Sequence, residues 1–485
     1  MKCNSLKRAS IAILALLVLP AQCSLASDAI RKPNIVYILA DDLGWTDLSC
    51  QGSKYYETPH IDRLAAQGMR LNRYHNCQNC QPTRAALMTG QYAARTGIYT
   101  VGSIERFNWQ SRPLRPVDNT VSLPLDKITI AQTLGNAGYV TGMFGKWHLG
   151  DDAQHHPAAR GFDEAIVHKG GHLKFSTNPE TEIPNGVYLA DFLTAKATDF
   201  ISRHKNEQFF LYLPHFGVHS PIEAKPELIA HFKGKPASGG HHNPVYAAMI
   251  RSVDESVGRI MAVLDELHLA ENTVVIFSSD NGGVGGYVRE GIKEGGDTTD
   301  NAPLRSGKGS LYEGGTRVPF FVRWPGVIAP GTSSDVPAIH VDIFPTLAEI
   351  ADAELPKGQT LDGESLTTLF RDPQSRLKRD AIFQHFPGYL GAGTDTYRTT
   401  PVGLIESGDW KLMEFLEDNR LELYNLREDI GESRNLANEM PDKAKELHSA
   451  MLEWRKAINA PMPTPNIPDP DAKKSGKGKK RKQSQ

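Results

Sequence analysis

Residues 76–92, NCQNCQPTRAALMTGQY, set Cys80 two places before Pro82 and four before Arg84. Pro82 suits the first turn of a helix, where its missing N–H would be unsatisfied anyway, and Gly90 is a natural stop. Cys80 then stands at a helix N-terminus. Free N–H groups and partial positive charge there, with a guanidinium one turn on, favour an oxyanion. A thiol nucleophile is one use of such a site. A redox pair of Cys77 and Cys80 is another, but a thioredoxin-like motif belongs after the first strand of a small domain, which a 485-residue chain does not match.

Carboxylates cluster at two other places. ILADDLG and SSDNGG put Asp41, Asp42, Asp280 and Asn281 at the ends of apolar runs more than two hundred residues apart. Four hard oxygen ligands brought together would suit calcium or magnesium, since a shared divalent cation offsets the repulsion of adjacent carboxylates. Either pair alone is explained as well by a cap or turn; only the combination argues for a metal. MFGKWHLG holds Lys146 and His148, on one side if the chain is extended there. LPHFGVHSP supplies His215 and His219, and LRSGKGSLYEGG supplies Lys308 in a glycine-rich loop. Singly, these are ordinary surface charges and hydrogen-bonded structural histidines.

Sharper motifs are excluded. His215 and His219 have zinc-helix spacing, but Pro214, Gly217 and Pro221 oppose a helix and the glutamate of HExxH is missing. GKGS lacks the Ser or Thr directly after Lys308 that a phosphate-binding loop requires, GGVGG lacks dinucleotide spacing, and there is no G-x-S-x-G elbow.

The elements that must position these residues read as an α/β protein. NIVYILADD, FFLYLPH and TVVIFSSDNG are short apolar runs that stop abruptly in polar residues, as strands buried on both faces do. Open sheets of this kind bind ligands beyond the carboxyl ends of their strands. TPHIDRLAAQGM and YAAMIRSVDESVGRIMAVLDEL have helical patterning between them. From about residue 376 the texture changes: GDWKLMEFLEDNRLELYNL predicts two strands around a polar turn. DKAKELHSAMLEWRKAI predicts a helix with Leu447, Met451, Trp454 and Ile458 on one face. The expected organisation is a main domain over 32–375, a smaller α+β domain over 376–460 and a proline-rich linker with a basic tail over 461–485.

Residues 1–26 read as a cleaved signal peptide: Lys2, Lys7 and Arg8, an apolar run over 11–19, then small residues at Ser24 and Ala26. No later run is long and apolar enough to span a bilayer, so the mature protein is expected to be exported, periplasmic or secreted. It keeps Cys50, Cys77 and Cys80, an odd number for an oxidising compartment, so at least one is unpaired; a Cys50–Cys77 disulfide would leave Cys80 as the odd thiol, but the sequence alone leaves the pairing open. Apart from the basic signal and the tail over 471–485, the body carries 44 basic and 55 acidic residues, net −11. Nucleic acid is thereby an unsuitable partner for the body, and an anionic substrate must be drawn by a local cluster of cations.

CQPTRAALMTG resembles the signature of the type I sulfatases, C-x-P-[ST]-R followed by x-x-L-x-T-G. ADD, GKWHLG, PHFGVHSP, SDNGG and GKGSLYEGG match the same family in chain order, and LYNLREDIGESRNLA has the texture of its C-terminal domain. Gln91 departs from the Lys or Arg common after the T-G pair. The resemblance implies an alkaline-phosphatase-like α/β/α sandwich with a smaller C-terminal α+β domain, an antiparallel sheet plus a helix. It implies that a maturation enzyme oxidises Cys80 to Cα-formylglycine, whose hydrate attacks the sulfur of a sulfate monoester while the second hydroxyl later expels sulfate. Asp41, Asp42, Asp280 and Asn281, with the modified Cys80, would hold Ca2+. Arg84 would hold the diol, Lys146 and Lys308 the sulfate oxygens; His148 would be the base and His219 the donor to the leaving alcohol, with the role of His215 open. The expected substrate is a sulfated carbohydrate, although the substrate-facing loops 101–124 and 282–301 name no sugar. Two alternatives stand beside it: a phosphonate monoester or phosphodiester hydrolase of the same superfamily, and a non-catalytic calcium-dependent glycan-binding protein in which Cys80 stays a thiol.

Overall fold

A run as apolar as NIVYILA is stable only with both faces covered. In the computed structural model, which describes residues 1, 32–292, 297–391 and 397–469, it forms β1 (Asn34–Ala40), with all seven residues buried. β1 is the middle strand of a nine-stranded sheet. The other strands are β2 (Met69–Leu71), β3 (Val140–Gly145), β4 (Glu164–Gly170), β5 (Phe175–Asn178), β6 (Phe209–Pro214), β7 (Thr273–Ser279), β8 (Phe320–Arg323) and β9 (Thr332–Ser334). Their spatial order is β9-β2-β8-β7-β1-β6-β3-β4-β5. The five strands from β7 to β4 run parallel, with β8 and β5 antiparallel against them. In the β1–β7 register Ala40 faces Ser279, so Asp41 and Asp280 leave the sheet side by side.

The period of two in β1 divides its side chains between two helical layers. Val36, Ile38 and Ala40 pack with α1 (Pro59–Gln67), α4 (Leu189–Arg203) and α5 (Pro244–Glu266), whereas Ile35, Tyr37 and Leu39 pack with α2 (Cys80–Thr89), α3 (Ile130–Asn136) and α6 (Ile343–Ile350). Each fully buried Ile, Leu or Phe contributes about 1.5–3 kcal/mol, so strands and helices stabilise one another. α2 ends as its sequence predicts: Gly90 takes φ +66 and its N–H closes on Ala86 O at 2.8 Å.

A second, antiparallel sheet of β10 (Ile382–Phe386), β11 (Val402–Ser407), β12 (Trp410–Phe415) and β13 (Arg420–Asn425) lies in that order, and α7 (Pro441–Ala457) covers one face through Ala444, Leu447 and Met451. Its other face packs Leu404, Met413 and Tyr424 with Tyr99 and Leu311. A buried charge cluster ties it down further. Lys411 Nζ on β12 lies 2.9 Å from Glu313 and 2.8 Å from Glu432, and His75 Nε2 reaches Glu313 at 3.2 Å and Glu406 at 3.4 Å.

Two readings of the sequence change. The Cys50–Cys77 disulfide is not formed: Cys50, Cys77 and Cys80 are all free thiols. Cys50 packs with the α1, α4 and α5 layer, while Cys77 Sγ lies 3.4 Å from His340 Nε2, just ahead of α6 in the opposite layer. Residues 461–469 are not a free linker either; Thr464–Pro465 pairs with Leu114–Arg115, and His385 Nε2 donates to Pro461 O at 2.7 Å. The expected signal peptide and the basic run over 471–485 lie outside the described residues. Among the described residues no helix is long and apolar enough to cross a membrane.

Burial keeps two histidines neutral, pushing His340 down to about 3 and His385 to about 4. Below about pH 6.5 the unfolded chain binds protons at these positions that the folded chain refuses, so each costs about 1.4 kcal/mol of stability per pH unit as pH falls towards the folded value. The urea midpoint should therefore drop between pH 7 and pH 5, and drop less in a His340→Gln/His385→Gln variant. Parallel losses in the two proteins would contradict this account.

Candidate active site

Two buried carboxylates side by side repel, and the sequence answers with Arg84 on the second turn of α2. Arg84 is 1% exposed; its Nε and Nη2 donate to Asp280 Oδ2 at 3.1 and 2.7 Å, and Nη2 also donates to Asp41 Oδ2 at 2.9 Å. Its Nη1 donates to Lys146 O at 2.8 Å, which fixes the fork. Lys146 Nζ sits 2.5 Å from Asp41 Oδ2. Burial and then the Asp41 charge push Asp280 up, to about 8, whereas Asp41, despite its burial, is held well below the carboxylate range by Lys146, His219 and Arg84. Cys80 joins this pair: ligand atoms of Asp41, Cys80 and Asp280 all lie within 4.8 Å of one another.

Asp42 turns back into the site with φ +66, a conformation few residues other than Gly, Asn and Asp adopt. Its N–H donates to Asp280 Oδ1 at 3.2 Å, its Oδ1 accepts from Asn281 Nδ2 at 2.8 Å, and Lys308 Nζ approaches its two oxygens at 2.6 and 2.7 Å. Asp41, Asp42 and His219 form a second group within 4.8 Å. Asp41 Oδ1 and Asn281 Oδ1 are buried acceptors with no hydrogen-bond donor.

The histidines separate by function. His219 Nδ1 donates to Ser220 O at 2.6 Å, which leaves Nε2 facing Asp42 Oδ2 at 3.8 Å. His148 does not follow Lys146 on an extended chain: β3 ends at Gly145 and His148 takes φ +63. Burial, then Lys146 and Arg84, push its pKa down to about 3, and its Nδ1 has no partner. His215 is fully buried and bonded to Ser256 Oγ on α5 at 2.9 Å.

Three supporting side chains carry no motif of their own. Ser279 Oγ accepts from Leu43 N at 3.0 Å and donates to Asn281 O at 2.9 Å, joining the two acidic strand ends. His172 Nε2 donates to His219 O at 2.7 Å. Phe216 is the common surface for Lys146, at 5.4 Å from its ring centroid, and for the rings of His172 and His219. The first and last lay inside quoted stretches, but nothing in a linear sequence says that a serine or phenylalanine there joins distant segments.

Carboxylates and a thiol ringed by Arg84, Lys146 and Lys308 form a site for an oxyanion and a cation together. A family model described as Sulfatase matches residues 33–353. The chain belongs to the sulfatase family. A second model, described as N-sulphoglucosamine sulphohydrolase, C-terminal, matches residues 307–457 of this sulfatase. Among curated relatives, a protein named sulfatase from Formosa agariphila is 36% identical, covering 94% of this chain and 95% of its own. An N-acetylgalactosamine-6-O-sulfatase from Bacteroides thetaiotaomicron is 32% identical over 87% of this chain and 93% of its own. The solved structure of Ps i-CgsB in complex with k-i-k-neocarrahexaose superposes with a TM-score of 0.72 at 31% identity, covering 87% of this chain and 93% of that one. The sulfatase is thus a sulfate ester hydrolase with the alkaline-phosphatase-like α/β/α fold and the C-terminal antiparallel sheet expected of it.

Arg84→Lys tests the fork directly. A lysine keeps the charge but cannot span Asp41, Asp280 and Lys146 O at once, so turnover of an aryl sulfate by the sulfatase should fall about 10²-fold or more while the thermal midpoint shifts by only a few degrees. A variant of near wild-type activity would show that the bridge is dispensable.

Proposed function

We propose that this sulfatase is an exported, calcium-dependent enzyme that removes sulfate from a sulfated carbohydrate, with Cα-formylglycine formed from Cys80 as its nucleophile. The observation that carries the reading is the placement of Cys80, in C-x-P-T-R, at the N-terminus of α2 and beside Asp41 and Asp280. Relatives and structural neighbours named for sulfated galactosamine and carrageenan support a glycan substrate.

The residues fit a hard divalent cation. Asp41, Asp42, Asp280 and Asn281 offer only oxygen donors, and the orphaned Oδ1 atoms of Asp41 and Asn281 are acceptors that a cation would satisfy. Ca2+ held by these four and by the modified Cys80 would supply positive charge for the sulfate oxygens and for an ionised nucleophile, and the hydrated aldehyde would supply the attacking and the sulfate-releasing hydroxyls.

The chain's own side chains do the rest. Arg84 orients the group at position 80 and offsets its negative charge. Lys146 and Lys308 hold sulfate oxygens and compensate the charge that grows as the ester bond breaks. His148, neutral because it is buried, has an unpartnered Nδ1 with which to accept a proton from the second hydroxyl. His219 keeps Nδ1–H on Ser220 O, so a proton given to the departing alcohol comes from Nε2 of the imidazolium form, which the facing Asp42 carboxylate favours. His172 holds His219 in that pose through its carbonyl.

The first test is the mass of the tryptic peptide YHNCQNCQPTR from protein exported by its native host, where an aldehyde should replace the Cys80 thiol. A wholly unmodified thiol in folded native material would favour the non-catalytic glycan-binding alternative. Cys80→Ala should fold normally and lose at least about 10³-fold in turnover. In a separate experiment, chelation should abolish activity and added Ca2+ restore it, with Asp280→Ala beyond rescue. Indifference to both treatments would remove the metal from the reading, and better turnover of phosphate diesters than of sulfate esters would move the assignment to the phosphodiesterase alternative.

A further inference from the structure

The loop over 99–123 is stitched to both sides of the reaction centre. At its start, Asn79 Nδ2 donates to Thr100 Oγ1 at 3.0 Å, and Gln81, the residue after Cys80, accepts from Gly102 N at 3.3 Å and donates to Val121 O at 2.6 Å. At its end, Leu123 N donates to Leu149 O at 2.9 Å, next to His148. The middle of the loop is held from outside. Asn466 Nδ2 donates to Gln110 O at 3.2 Å and Arg112 O at 2.8 Å, Asn466 N donates to Pro113 O at 2.8 Å, and Val117 N donates to Pro387 O at 3.1 Å. A segment of such length whose regular structure is confined to short 3-10 turns and the two-residue strand Leu114–Arg115 is usually functional when it is fastened this firmly.

The loop carries three arginines, and two are matched. Arg112 pairs with Glu417 and Arg115 with Asp118. Arg106 is different: it is exposed, it meets no carboxylate among the described residues, and its Nη1 donates to Val101 O at 2.6 Å, while the guanidinium lies 5.5 Å from the Phe107 ring centroid. Its neighbour Glu105 is turned away, accepting from Trp109 Nε1 at 3.3 Å and Gln110 Nε2 at 3.0 Å. One guanidinium is therefore left with free donors, in a body of net charge −11, on a loop tied through Gly102 to the residue beside the nucleophile.

We propose that Arg106 is an anion-binding subsite that recognises a second acidic group, on a sugar next to the one that loses its sulfate, and that residues 461–469 act as a strap holding the subsite in register. The proposal rests on the functional reading above and narrows its substrate to an oligosaccharide with more than one oxyanion. A guanidinium pairs with either a sulfate or a carboxylate through charge-assisted hydrogen bonds, and Phe107 beneath it limits the conformations that must be given up on binding.

The test is inhibition of 4-methylumbelliferyl sulfate turnover by k-i-k-neocarrahexaose, by a chondroitin 6-sulfate tetrasaccharide and by glucose 6-sulfate, in full-length wild-type, Arg106→Ala, Arg106→Lys and Asn466→Ala proteins. In the wild type at least one oligosaccharide should bind more tightly than the monosaccharide. That advantage should shrink about tenfold in Arg106→Ala, partly return in Arg106→Lys, weaken in Asn466→Ala and fade as salt is added. Preference for the carrageenan probe assigns the second group as sulfate, and preference for the chondroitin probe, which also carries uronates, assigns it as carboxylate. An unchanged ratio in Arg106→Ala, or no oligosaccharide advantage in the wild type, overturns the proposal. If the wild type turns over no sulfate ester, the functional reading has failed instead, and the same ratios are read from calorimetric Kd values.

Discussion

The site depends on a collision arranged by the sheet. β1 and β7 are parallel neighbours in a register that makes Asp41 and Asp280 the first residues past their ends, so two carboxylates enter one dry pocket. Burying even one such charge without a partner is costly, and two like charges add their repulsion. Arg84 makes the arrangement tolerable because a planar guanidinium can donate to both acids and to a carbonyl at once. Placing that guanidinium requires α2, and α2 brings Cys80 with it. Lys146 and Lys308 then arrive from two further segments to complete the charge balance. The pocket is therefore preorganised for an anion whose charge grows during reaction, with its attractive groups already desolvated.

The legible parts of this structure were those in which one physical demand dominates. NIVYILA, FFLYLP and TVVIFSS have no other way to hide their side chains, and the abrupt change to DD and DN marked the strand ends where the site forms. Pro82 and Gly90 bracketed α2 because proline at a helix start and glycine at φ +66 are nearly forced. The edge strand β9 and its neighbour β2, three residues each, carry no period long enough to read; their pairing is decided by neighbours hundreds of residues away. His148 shows the same limit within the site, since a left-handed φ at a histidine is imposed by its surroundings. The cysteines misled for a related reason: counting thiols in an oxidising compartment suggests a bond, but the layers that separate Cys50 from Cys77 are set by tertiary packing.

The C-terminal sheet does more than extend the core. Its β12 supplies Lys411 to Glu313, five residues past Lys308, and its β11 supplies Glu406 to His75, five residues before Cys80. Both contacts are buried, and removing Lys411, which faces Glu313 and Glu432 together, would leave buried carboxylate charge undercompensated at a cost of about 3–5 kcal/mol. The segments that present Lys308 and Cys80 are thus anchored to the C-terminal sheet. Pocket geometry and C-terminal packing form one mechanical system.

That anchoring has a consequence for how such proteins can diversify. The two family matches overlap across residues 307–353, where the Lys308 loop, Glu313 and β8 lie. A recombination crossover placed between Glu313 and Lys411 would join halves from different ancestors across one buried ion cluster, and any mismatch there would unseat a loop of the reaction centre. A substitution on either side of that cluster should therefore be tolerated only with a compensating one across it, whereas the loop over 99–123, which shares none of those buried charges, is under no such constraint.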